Sequence, residues 1–148
     1  MTIYNFYLFN KYGKCIYYKD FQRIRKNDMD QEEEFKLIYG MIFSLNSFSA
    51  KLCTKDSIQQ LKSYTTNSYK MFYMETLTEY KLIINTDPDA SNIHDLLQSI
   101  YKSFAEIIVS NGLIDPNDKV NCEDFETTIN HLITSHPSYQ KVPLIKNK

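Results

Sequence analysis

Hydrophobic and polar positions alternate and cluster in a way that divides this chain into eight blocks. From Ile3 to Phe9 both alternating faces are apolar, Ile3, Tyr7 and Phe9 on one and Tyr4, Phe6 and Leu8 on the other. Such a run reads as a strand covered on both sides, interior to a sheet. Asn10-Lys11-Tyr12-Gly13-Lys14 reads as a turn, with Gly13 supplying a positive φ, and Lys14 to Lys19 returns as a second strand. Residues 20–31 are polar and charged, a loop. Asp30 with Glu33 supplies an N-cap and its reciprocal partner, and Glu32 to Glu34 suit the positive end of a helix. A long helix is therefore expected over 31–52. Three strands follow at 58–65, 69–76 and 79–86, joined by short connections as in an antiparallel meander. Asp87-Pro88-Asp89 ends the sheet, and Ser91 or Asp89 caps a second long helix that stops at Asn111-Gly112. A last helix over 123–135 halts before Pro137, and the tail from Tyr139 reads as frayed.

The order is two strands, a helix, three strands and two helices, within one domain spanning 1–148. Five antiparallel strands with a doubly apolar interior strand need cover on both faces, which one helix on one side and two on the other would supply. The fold class expected is α+β. On the second helix Ile93, Leu96, Leu97, Ile100, Tyr101, Phe104, Ile107 and Ile108 share one face, and on the last Phe125, Ile129, Leu132 and Ile133 do. The first helix is different. Leu37, Ile38, Met41, Ile42, Leu45, Phe48 and Leu52 form a stripe that Phe35 extends, and Tyr39, Phe43 and Ala50 carry apolar surface round to roughly 240°. One sheet covers only part of such an arc. The expectation is inward packing through Leu37, Met41, Leu45 and Phe48, and an outward partner surface at Tyr39 and Phe43. Gly40, Ser44 and Ser47 line the opposite side, and a glycine inside a helix suggests close backbone approach.

Composition narrows the function classes. The 148 residues are 43% hydrophobic and 24% charged with net charge −1, so wholesale disorder is excluded and no global field draws the chain to nucleic acid or acidic lipid. Cys15, Cys53 and Cys122 are odd in number and widely spaced, which argues against a disulfide framework or a zinc site and for a reducing compartment. The chain starts without a signal sequence and holds no apolar run of membrane-spanning length.

Motifs for chemistry are absent. Three glycines build no phosphate loop or dinucleotide fingerprint. His131 and His136 are five apart rather than four, and His94 stands alone, so surface or capping roles fit them best. Cys122 sits where a helix N-terminus would lower a thiol's pKa, yet no histidine is placed beside it. Arg23, Arg25 and Lys26 form a basic cluster, tempered by Asp28 and Asp30, that reads as a solvated loop or an acidic-partner contact. No catalytic residue, metal ligand or cofactor site is assigned.

One string is distinctive: Glu32-Glu33-Glu34-Phe35-Lys36-Leu37-Ile38-Tyr39-Gly40-Met41-Ile42-Phe43-Ser44-Leu45-Asn46-Ser47-Phe48. With Tyr4-Asn5-Phe6-Tyr7-Leu8-Phe9, Gly13, Cys15, Ser68-Tyr69-Lys70, Tyr73-Met74-Glu75-Thr76 and Lys81-Leu82-Ile83-Ile84-Asn85-Thr86-Asp87, it resembles the small longin-type subunits of the trafficking protein particle (TRAPP) complex, of the synbindin and sedlin kind. The resemblance implies a longin-like (profilin-like) fold, with a five-stranded antiparallel sheet between one helix and two. It implies a non-catalytic core subunit of a vesicle-tethering complex that is also a nucleotide-exchange factor for a Rab GTPase in ER-to-Golgi transport. Implied partners are other TRAPP subunits, longin-type and palmitoyl-binding-type, and the GTPase through the assembly. The implied setting is cytoplasmic and peripheral to ER and cis-Golgi membranes. Partner-binding residues carried over are Cys15, Ile16, Tyr17, Tyr18, Phe35, Tyr39, Phe43 and Asn46. The family's Pro and Gly after the Tyr73 strand are replaced by Leu77-Thr78-Glu79, and residues 113–122 match poorly. An adaptor-complex small chain is the alternative, ahead of a SNARE N-terminal domain or a small enzyme with a tyrosine-lined pocket.

Overall fold

A computed structural model of the chain describes residues 3–21, 30–52 and 63–136. The expected basic cluster, Cys53, the first half of the third strand and the tail lie outside them. The elements are β1 (Ile3–Phe9), β2 (Cys15–Asp20), α1 (Gln31–Leu52), β3 (Ser63–Thr65), β4 (Lys70–Glu75), β5 (Lys81–Thr86), α2 (Ile93–Phe104) and α3 (Glu123–Thr134). All strand pairs are antiparallel, in the order β2-β1-β5-β4-β3. α1 lies on one face and α2 with α3 on the other, the longin-like α+β arrangement.

Burial on both faces of β1 and β5 makes two cores rather than one. Tyr7, Phe9, Met71, Tyr73 and Ile83 meet Ile42 of α1. Phe6, Leu8, Leu82 and Ile84 meet Ile93, Leu97, Ile100 and Phe104 of α2 and Phe125, Ile129 and Ile133 of α3. Edge-on rings link the second core across elements: Tyr80 to Phe104 at 5.1 Å, Phe104 to Phe125 at 5.8 Å and Phe125 to Tyr17 at 5.1 Å.

Two irregularities in the pairing change which face a residue serves. The β1–β5 register shifts between Ile3 and Asn5, so Ile3 joins Phe6 and Leu8 rather than Tyr7 and Phe9, against simple alternation. The β1–β2 register shifts between Leu8 and Phe9, and Ile16 and Tyr17, neighbours in sequence, both pack toward α2 and α3.

The turn between β1 and β2 is built around Asn10. Its Oδ1 accepts from the backbone N–H of Tyr12 (2.9 Å) and Lys14 (3.0 Å), and its Nδ2 donates to the Asn117 carbonyl at 2.8 Å. The loop between α2 and α3 is pinned to this end of the sheet by that bond, by Tyr80 Oη donating to the Pro116 carbonyl (3.2 Å) and by Val120 N–H donating to the Ile16 carbonyl (2.8 Å).

Two helix ends differ from expectation. α2 begins after Asn92, whose left-handed φ of 60° makes the N-cap, rather than at Ser91 or Asp89; asparagine tolerates that conformation. α2 also runs on through one π-helical turn, Ala105–Val109, with Ser110 N–H donating to the Ala105 carbonyl at 3.0 Å.

The β4–β5 connection turns on Glu79 at φ 69°. A left-handed residue with a Cβ costs ~1–2 kcal/mol relative to glycine's free access to that region, part of which glycine returns as unfolded-chain entropy. Glu79→Gly should therefore raise the unfolding free energy by about 0.5–1 kcal/mol, read from urea denaturation.

Candidate protein interaction surface

Successive helix residues turn by ~100°, so the apolar arc of α1 could seat on the sheet in several phases. The sheet selects the middle of the arc. Ile42 is fully buried, with Phe35, Ile38, Tyr39 and Leu45 packed around the same core. Leu37 (59% exposed), Phe43 (62%), Phe48 (61%) and Leu52 (66%) face outward. This corrects the expected partition: Leu37 and Phe48 are not inward, and Tyr39 is half-buried against Phe9 at 5.8 Å. Phe43 is outward as expected. The reason is registry, because a stripe wider than its contact leaves both margins uncovered.

The two margins have different neighbours. Phe35 lies against Tyr18 of β2 (5.3 Å) and Tyr7 (5.9 Å), and Tyr39 covers the β1–β2 turn, so the flank that carries Phe43 looks toward β2. Leu37, Phe48 and Leu52 share the opposite flank with half-buried Met41, which lines a cavity with Tyr69 and Met71 of the β4 side.

Of the residues singled out in sequence, Cys15, Tyr18, Phe35 and Tyr39 are brought together on the α1 face. Asn46, half-buried, hydrogen-bonds the Tyr73 hydroxyl on the same face. Ile16 is fully buried and Tyr17 half-buried on the other face, so these two do not join that surface. Leu37 and Phe48 are the exposed residues that periodicity assigned inward, and Leu52 of the same stripe is exposed too; only the uncommon width of the arc signalled that some of the stripe would stay outside.

A polar cluster on the sheet meets α1 at the Tyr39 ring. Tyr73 Oη donates to Glu75 Oε2 at 3.1 Å, Lys81 Nζ stands 3.6 Å from Glu75 Oε1, and the same ammonium lies 5.5 Å from the centre of the Tyr39 ring. Burial, then the Glu75 charge, raises the Tyr73 phenol above its ordinary range. Under Tyr39 sits Gly13 at φ 81°; a Cβ there would meet Tyr39 Cζ at 2.9 Å. By contrast Gly40 has no atom of the described residues within 4 Å of where a Cβ would stand, so the expected close backbone approach is not made among them.

The remaining chemistry-bearing residues are placed individually. His94 stands edge-on to Phe72 at 5.5 Å, and His136 Nε2 lies 3.3 Å from the Asn92 carbonyl oxygen. Burial pushes the Cys15 thiol up to about 12, partly opposed by hydrogen bonding of the Tyr17 and Leu8 backbone to its sulfur. Among the described residues no helix is long and apolar enough to cross a membrane, and no cluster of His, Cys, Asp and Glu could hold a metal ion.

A sybindin-like family model matches residues 3–136, the whole of the sheet and its three helices. The chain belongs to the sybindin-like family. Its relatives include trafficking protein particle complex subunit 1 of Rattus norvegicus, 36% identical over 140 residues that cover 94% of this chain and 97% of that protein. The Homo sapiens protein of the same name is 35% identical over the same shares, and the Dictyostelium discoideum one 36% identical over 93% and 98%. The longin-like α+β fold that the resemblance implied is the fold this chain has. The sybindin-like match continues through 113–122, where the resemblance by motif was weakest.

Two outcomes follow from this geometry. Gly13→Ala combines a strained φ with a Cβ contact of 2.9 Å on the Tyr39 ring, shorter than van der Waals distance, and should cost about 1–2 kcal/mol in urea denaturation. The second concerns alkaline pH. Burial raises Cys15 and Tyr17 to about 12, Tyr17 with help from the Glu126 charge, so their protonated forms belong to the folded state. Their contribution is complete below the unfolded thiol's pKa and is lost as pH rises through the folded values. The urea midpoint should fall between about pH 8.5 and pH 11.5. Tyr17 Oη is buried with no hydrogen-bond partner among the described residues, so Tyr17→Phe should keep or raise stability at neutral pH and flatten the alkaline fall.

Proposed function

We propose that this chain is a non-catalytic core subunit of a TRAPP-type vesicle-tethering complex, acting through heteromeric protein contacts. The observation that carries the reading is the pair of apolar margins on α1. Four large side chains more than half exposed on one helix are costly in a free monomer and suit burial against other subunits. Full-length similarity to proteins named as complex subunits supports the same reading.

On this proposal the β2-side flank, with Cys15, Tyr18, Phe35, Tyr39, Phe43 and Asn46, receives one neighbouring subunit, longin-type or palmitoyl-binding-type. Ile16 and Tyr17 hold the β2 strand in place from the opposite face. The Leu37, Phe48 and Leu52 flank receives a second contact. The assembled complex, rather than this chain, engages the Rab GTPase and promotes nucleotide exchange in ER-to-Golgi transport, at the cytoplasmic surface of ER and cis-Golgi membranes. No active site is assigned to the subunit itself.

The test is affinity purification of the tagged chain from native cells, as wild type, as Phe43→Asp and as Leu37→Asp/Phe48→Asp. These positions are exposed, so each variant should keep its circular dichroism spectrum and lose stability by less than about 0.5 kcal/mol. Each should drop a different trafficking subunit from the eluate. Recovery of every partner by both variants, or of no trafficking subunit by wild type, would overturn the reading.

A further inference from the structure

The cavity beside α1 has a polar floor that neither the fold nor the interaction surface explains. It encloses about 540 Å³, within the range of small-ligand sites. Asn5 of β1 and Asn85 of β5 are direct cross-strand partners and both line it. Asn5 is only 4% exposed, and the amide oxygens of both asparagines are shut off from solvent with no hydrogen-bond partner among the described residues. Two opposed amides commonly bond each other; these two leave both acceptors unused. Asn5 Nδ2 donates instead to Tyr7 Oη at 3.3 Å, and Tyr7 Oη donates to Glu34 Oε1 at 3.0 Å. Glu34 is itself 8% exposed and lines the same cavity, while Ile38, Met41 and Met71 furnish apolar wall.

This polarity selects a ligand class. Buried acceptors without donors disfavour an anion or a carbonyl, and the carboxyl of Glu34 adds negative charge at one end. The asparagine χ2 torsion is soft, so a small rotation turns either oxygen into the cavity. Adjacent strands set the two amides about 5 Å apart, a separation that a planar, multiply donating head group can bridge. The methionine walls suit a flexible aliphatic stem. We propose that this cavity binds a guanidinium group on an aliphatic stem, its N–H groups shared among Asn5, Asn85 and Glu34. The inference rests on the cavity and is independent of the proposed subunit role. The group could come from an arginine of another polypeptide or from a free guanidino compound.

The full chain, labelled at its methionine methyls, is titrated with Nα-acetyl-arginine amide and with agmatine, and separately with Nα-acetyl-norleucine amide. Saturable shifts of the Met41 and Met71 methyls are expected with the guanidinium probes, with norleucine amide at least about tenfold weaker. Tighter binding of the capped arginine than of agmatine assigns the group to a polypeptide side chain, and the reverse to a free compound. Glu34→Gln and Asn85→Leu should each weaken the guanidinium probe by about tenfold or more, while Asn85→Asp, which keeps an acceptor, retains it. Should Asn85→Leu fail to fold, Glu34→Gln against Asn85→Asp gives the same contrast. Equal response to norleucine amide, no shift of either methyl, or unchanged affinity in Glu34→Gln would overturn the proposal.

Discussion

A sheet whose interior strands are apolar on both faces is the constraint from which the rest of this molecule follows. β1 and β5 place Tyr7, Phe9 and Ile83 on one side and Phe6, Leu8, Leu82 and Ile84 on the other, all buried. Neither layer can be left in water, because each of these side chains gains about 1.5–3 kcal/mol on burial. Two helices meet that demand on one face through a single stripe each. On the other face α1 meets it alone.

That asymmetry gives the α1 face its character. Two helices cover their side of the sheet closely enough that rings from β2, the residue before β5, α2 and α3 meet edge to edge. A single helix leaves a cavity toward β4 and two apolar margins along its length. The Lys81 ammonium over the Tyr39 ring and the Asn46 hydrogen bond to the Tyr73 hydroxyl then tie the helix to the sheet, and Gly13 lets the Tyr39 ring lie close on the hairpin turn. The surface proposed for partner subunits and the cavity proposed for a guanidinium group are both consequences of one helix doing the covering of two.

Strand and helix boundaries were readable because each rests on local chemistry. Gly13 marked the first turn through its φ, the acids of Glu32 to Glu34 marked the start of α1, and Pro137 bounded the last helix. Where the local signal was shared among neighbours, the reading slipped. Ser91 or Asp89 was the expected cap where the fold uses Asn92, and helix periodicity alone does not reveal the π turn after Phe104. A face was misassigned where pairing departs from strict alternation, at Ile3.

What the chain determined by itself is the order of elements, the two-sided demand of its sheet and the excess width of the α1 stripe, since these depend only on residue type and spacing. Only the tertiary structure decided which part of that stripe is buried. Ile42 faces in and Leu37 and Phe48 face out because the helix must seat over Tyr7, Phe9 and Ile83, and that fit depends on strand neighbours far away in sequence. The pairing of Asn5 with Asn85 was equally out of reach. Each asparagine is unremarked within its own strand, and the register of two distant strands is what sets them side by side beneath a cavity.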